Sequence, residues 1–110
     1  MKNIVEINQA NFESEVLNSN PPVIVNFWAK RCRSSKMLAP VLNEIAMEYM
    51  GRVKIAKIDV DENPALAKQH HIESTPTLLF FSNGQVHDEL VGIQDKKAII
   101  TKLETFSFAA

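Results

Sequence analysis

The chain has 110 residues, of which 45% are hydrophobic and 23% charged, with a formal net charge of −1. A chain of this size buries a real core as a single domain without staples, and the composition is that of an ordinary globular protein. Near-neutral charge speaks against a nucleic-acid or membrane-surface partner, and no apolar run reaches bilayer-spanning length.

In chain order, Ile4, Val5 and Ile7 suggest a short strand. Phe12, Val16 and Leu17 mark one face of a short helix, with Asn8 or Asn11 as its N-cap. Pro21-Pro22 then lead into Val23-Ile24-Val25-Asn26-Phe27-Trp28, apolar on both faces as a central parallel strand must be. Met37, Leu38, Val41, Leu42, Ile45 and Tyr49 recur at helical spacing until Gly51. Pro40 lies inside that helix and should kink it, while Met37, Met47 and Met50 read as core packing.

Val53, Ile55, Ile58 and Val60 form a further strand. Asn63-Pro64 reads as N-cap and first-turn proline of a helix from Ala65 to His70. Thr77 to Phe81 and Val86 to Val91 are strands joined by Asn83-Gly84, a strong hairpin signal. Asp95 can cap a last helix whose Ile99, Ile100, Leu103 and Phe106 share a face. The order βαβαβαββα combines parallel crossovers with an antiparallel hairpin, predicting an α/β fold with a mixed central sheet and helices on both faces.

Chemistry concentrates at Cys32, the one cysteine of the chain. It sits between the apolar strand and the long helix, where unpaired N–H groups and the macrodipole favour an anion. Lys30, Arg31, Arg33 and Lys36 lie within four positions of it. Both effects should lower its pKa from the free value of about 8.5. With no second cysteine, any redox cycle must be completed by another molecule's thiol. The opening residues lack the long apolar segment of a signal peptide, and one unpaired cysteine suits a reducing cytoplasm. His70-His71 and His87 lack metal-ligand spacing and read as surface polarity.

Taken together and in this spacing, Val25-Asn26-Phe27-Trp28-Ala29, Cys32, Lys36-Met37-Leu38-Ala39-Pro40, Lys57-Ile58-Asp59-Val60-Asp61, Thr75-Pro76-Thr77-Leu78, Asn83-Gly84 and Val91-Gly92 resemble the thioredoxin family over essentially the whole chain. The resemblance implies a thioredoxin fold over 1–110, with Cys32 as nucleophile beside a cis Thr75-Pro76 bond. It also implies a substrate-binding surface of Trp28, Arg31, Arg33, Thr75, Pro76, Gly92 and Ile93, supported by Asn26, Lys57, Lys36 and Pro40. Thr75 would pair with an extended target peptide as an added strand.

The departures from that family matter more. Where the family has Cys-Gly-Pro-Cys, this chain has Cys32-Arg33-Ser34-Ser35. Ser35 takes the resolving position and can donate a hydrogen bond to the Cys32 thiolate but cannot attack a disulfide. Asn26 stands where the family has a buried aspartate, so that proton acceptor is missing. Arg31 and Arg33 replace an aromatic residue and a glycine, turning an apolar docking surface cationic. Lys57, which matches the family's lysine near the aspartate, snorkels to water in the simplest reading.

Three readings follow. In the first, the chain is a monothiol oxidoreductase acting on protein or mixed disulfides as a monomer, without cofactor, glutathione serving as co-substrate that resolves Cys32 and the basic cluster holding its carboxylates. The second is a redox-inactive binding module using the cis-proline groove. The third is a serine introduced at position 35 to trap a mixed disulfide, against which Asn26 and Arg31 weigh, since a trap needs one change. A glutathione-ligated iron–sulfur role, as in some Cys-x-x-Ser glutaredoxins, is more remote.

Overall fold

A computed structural model describes residues 3–106. Its five-stranded sheet has the order β1-β3-β2-β4-β5, formed by β1 (Ile4–Glu6), β2 (Val23–Trp28), β3 (Lys54–Asp59), β4 (Thr77–Ser82) and β5 (Gln85–Val91). Strand β2 lies at the centre, parallel to β3 and antiparallel to β4. Its continuous apolar run is needed because both of its faces are covered: Val23, Val25 and Phe27 enter one core layer and Ile24 the other. Asn26 points into the second layer, in register with Lys57 of β3.

Helix α1 (Arg33–Glu48) covers that second face with Leu38, Leu42, Ile45 and Ala46, joined by Ile99 and Leu103 of α3 (Lys96–Phe106). The helix runs unbroken through Pro40, which is exposed on it. Contrary to the expectation of core packing, Met37, Met47 and Met50 are exposed by 55%, 64% and 61%. The buried stripe of α1 follows Ser35, Leu38, Leu42 and Ile45, and the methionines lie off it.

The opposite face packs on Phe12, Val16 and Leu66, the last from α2 (Pro64–Gln69). The expected first helix is a π-helical turn, Glu13–Leu17, with Leu17 exposed. Asn8 and Asn11 do not cap it. They close an Asx turn just before it, the Asn8 Oδ1 accepting from the Ala10 N–H at 2.8 Å and the Asn11 Oδ1 from the Asn8 N–H at 2.8 Å. Asn63 occupies the N-cap position of α2, but its side chain donates back to the Asp59 carbonyl instead of capping.

Asn83 and Gly84 have φ of +54° and +77°, the two-residue turn that matches strand twist. A Cβ at Gly84 would lie 3.1 Å from the Leu17 carbonyl oxygen, so a side chain there is both crowded and strained. Asp95 caps α3 as expected, accepting from the Ala98 N–H at 2.8 Å. Phe106 closes the helix, and its packing lies outside what the structure describes. Among the described residues no helix is long and apolar enough to cross a membrane.

Candidate active site

Strand β2 ends at Trp28, and the chain turns through Ala29-Lys30-Arg31 into the N-terminus of α1, where Cys32 is the N-cap residue. Its extended backbone (φ −95°, ψ 115°) leaves the thiol half-buried in front of the first helical N–H groups. Across from it the Thr75–Pro76 peptide bond is cis. The neutral thiol donates to the Thr75 carbonyl oxygen at 3.2 Å. Once ionised, Sγ is an acceptor. The Thr75 hydroxyl, then the Ser35 hydroxyl and the Ser35 backbone N–H, outweigh its partial desolvation and lower its pKa to about 7. The acidity therefore arises from hydrogen bonds, two of them from side-chain hydroxyls, and not from the cationic neighbours.

Those neighbours have partners of their own. Arg31 Nη2 lies 3.1 Å from Asp61, and Lys30 Nζ lies 3.4 Å from Glu62 and 4.0 Å from Asp59. The cationic surface expected from the sequence is, at these two residues, a rim of paired charges. Asp59, 5% exposed, is the organiser: its Oδ1 accepts from the Asp61 and Glu62 N–H groups and so shapes the loop that presents both carboxylates. The sequence signal for this pairing, not drawn on above, is the acidic run Asp59-Val60-Asp61-Glu62 before Asn63-Pro64, ready to face a basic one. Arg33 and Lys36 are exposed and have no ion-pair partner among the described residues.

Ser35 is buried, 2% exposed, and its hydroxyl oxygen accepts from the Ala29 N–H at 3.4 Å while its proton is free for the Cys32 sulfur. It thus ties the loop to the helix and stands directly behind the thiol. Gly92, with φ of +87°, donates its N–H to the Pro76 carbonyl at 2.8 Å, and Ile93 beside it is 48% exposed. Beside Cys32 a groove of about 420 Å³ is lined by Arg31, Asp61, Lys68, Glu73, Ser74 and Thr75, two charges of each sign.

Behind the site, Asn26 is 5% exposed, and neither its Oδ1 nor the buried Trp28 Nε1 has a hydrogen-bond partner among the described residues. Lys57 is half-buried, its Nζ 5.3 Å from the centre of the Trp28 ring. Pro40 sits on the exposed side of α1, apart from the thiol's hydrogen-bond partners. No cluster of metal-ligating side chains is found among the described residues. His71 and His87 are exposed as expected, but His70 is half-buried. Its ring packs 5.1, 5.7 and 6.0 Å from those of Phe12, Phe27 and Phe81, with Nδ1 3.0 Å from the Leu66 carbonyl.

A low-pKa thiol at a helix N-terminus, facing a cis proline at one end of a mixed sheet, defines a thiol-bearing protein of the thioredoxin-fold class. The thioredoxin family pattern matches residues 3–105. The chain is 42% identical to thioredoxin 1 of Nostoc over 104 residues, covering 94% of this chain and 97% of that one. It is 48% identical to thioredoxin of Haemophilus influenzae over 96 residues, covering 87% and 90%. To the chloroplastic M-type thioredoxin of Spinacia oleracea it is 37% identical over 106 residues, covering 96% and 59%. The chain belongs to the thioredoxin family.

Proposed function

We propose that this protein performs thiol–disulfide exchange with Cys32 as its sole thiol, on protein or mixed disulfides, and that glutathione of a reducing cytoplasm releases it. The Cys32 thiolate attacks one sulfur of a disulfide, forming a mixed disulfide and expelling the other sulfur as a thiolate. A glutathione thiolate then attacks the mixed disulfide at the substrate sulfur, giving a glutathionylated substrate and returning Cys32 as thiolate. Each step exchanges one S–S bond for another, so no further oxidant or reductant enters.

The observation that carries this reading is the Cys32 thiol held at about 7 by hydroxyl and N–H donors, with the Ser35 hydroxyl behind it. At neutral pH about half of such a thiol is ionised, against roughly 3% at pKa 8.5, and it leaves readily from a mixed disulfide. The groove with charges of both signs suits a short peptide carrying both, as glutathione does.

The test is incubation with oxidised glutathione. Mass spectrometry should find one glutathionyl group on Cys32, removed by reduced glutathione, and the protein should fail to reduce insulin disulfides catalytically. An unreactive thiol with an ordinary pKa would overturn the reading and leave a redox-inactive binding module.

A further inference from the structure

Between α1 and the β1–β3–β2 edge of the sheet, behind the active site, lies a cavity of about 310 Å³. Its polar wall is Asn26, Trp28, Ser35, Lys36, Asn43 and Lys57, and the rest is aliphatic or alanine. Every titratable lining residue is a lysine, so the wall carries two cations and no carboxylate. Lys57 makes no ion pair among the described residues. Glu6, in register with it on β1, is exposed and forms no ion pair with it, and Asp59, two residues along β3, is engaged by backbone N–H groups and Lys30. In the same wall the side chain of Asn26 is buried with its Oδ1 unpartnered, and the indole N–H of Trp28 is sealed without an acceptor.

A half-buried ammonium beside unpaired polar groups is an unfavourable arrangement until something of opposite charge and matching hydrogen-bonding capacity enters. We propose that this cavity binds a small carboxylate anion of the formate or acetate class. A carboxylate brings two acceptor oxygens with about four lone-pair positions. These can take the Lys57 ammonium, the Trp28 indole N–H and the amide N–H of Asn26, whose two ends exchange by rotation about its terminal torsion. A neutral solute would answer the hydrogen bonds but leave the half-buried Lys57 ammonium uncompensated. The volume is ample, since a water occupies about 30 Å³ of liquid.

The site carries its own reporter, because Trp28 is the single tryptophan of the chain. Its fluorescence is followed while sodium formate replaces sodium chloride at constant ionic strength. The signal should saturate, with half-saturation no tighter than about 0.5 mM, the bound for a ligand of three heavy atoms. Lys57→Met should weaken binding at least about tenfold, as loss of a desolvated charge partner does. Asn26→Asp should abolish it by placing a carboxylate in the wall. Neutral formamide should fail with the unaltered protein, and the chemical shift of the Lys57 ε-methylene should move with formate at the same midpoint. These last two measurements hold even if a variant folds poorly. An unsaturable signal, an unchanged midpoint in folded Lys57→Met, or formamide as effective as formate would overturn the proposal.

Discussion

Replacing Ser35 by alanine removes the hydroxyl that stands behind the thiol and separates the two roles of that group. In the folded protein it donates to the Cys32 thiolate and accepts from the Ala29 N–H. A hydrogen bond to a charged group contributes about 1.5–3 kcal/mol, or roughly one to two pKa units. The net depression of Cys32, from 9.0 to about 7, is shared among several donors and sets the scale of the effect. Since Thr75 and the Ser35 backbone N–H remain, a rise of about one unit, to about 8, is expected. At pH 7 the thiolate fraction would fall from about half to about a tenth. Nucleophilicity would rise about threefold for one unit at a Brønsted coefficient near 0.45, leaving exchange about twofold slower. Above pH 9 both proteins are fully ionised and the variant becomes the faster by about threefold. Rates with a neutral small disulfide between pH 5.5 and 10, with thiolate absorbance read alongside, should therefore give two curves that cross at about pH 7.6. Parallel curves, or an unmoved pKa, would refute the assignment of Ser35 as a thiolate donor. The lost acceptor for a buried N–H should also cost about 1–3 kcal/mol of stability, read by urea unfolding.

Two further outcomes follow from the same site. Ser35→Cys places a second thiol one helical turn from Cys32, so it should close an internal disulfide under mild oxidation and gain insulin-reducing activity; mass spectra showing only intermolecular dimers would contradict that geometry. Asn26→Asp puts a carboxylate in the buried centre of β2, and stability at pH 7 should fall by about 1–4 kcal/mol, the smaller figure if Lys57 turns toward it. Burial raises the folded pKa of that carboxyl above its unfolded value near 3.9, so the unfolded state ionises first and the penalty grows as pH rises from about 4 to the folded pKa. Urea unfolding at pH 3.5 should then show the ionisation penalty gone, and an equal deficit at both pH values would refute a buried carboxylate.

Much of the fold was legible because its signals are local. The continuous apolar run of β2, the Asn83-Gly84 turn and the Asp95 cap each fix their structure within a few residues. The position of Cys32 at the start of α1 was equally readable, since strand and helix patterns meet there. What failed depended on partners distant in sequence. Arg31 and Lys30 looked like free cations, but their carboxylates arrive from the loop after β3, about thirty residues on. His70 looked polar beside His71, yet its ring packs on those of β2, β4 and the N-terminal segment and is half-buried. Met37, Met47 and Met50 were misplaced for a simpler reason: residue type suggested the core, while their angle around α1 turns them to solvent. Thr75 was expected to present backbone to a substrate, and nothing local could show its hydroxyl serving the thiol 43 residues away.

That separation makes the cysteine an internal gauge of tertiary order. Its donors come from the first turn of α1 and from the segment entering β4, and they meet only while both are docked. Any opening that parts them takes away the Thr75 donor and raises the thiol's pKa toward that of a free cysteine, without melting a helix or breaking a strand ladder. Near neutral pH the alkylation rate of Cys32 thus reads the fraction of molecules in which two distant segments are in register, a quantity that far-ultraviolet dichroism would miss.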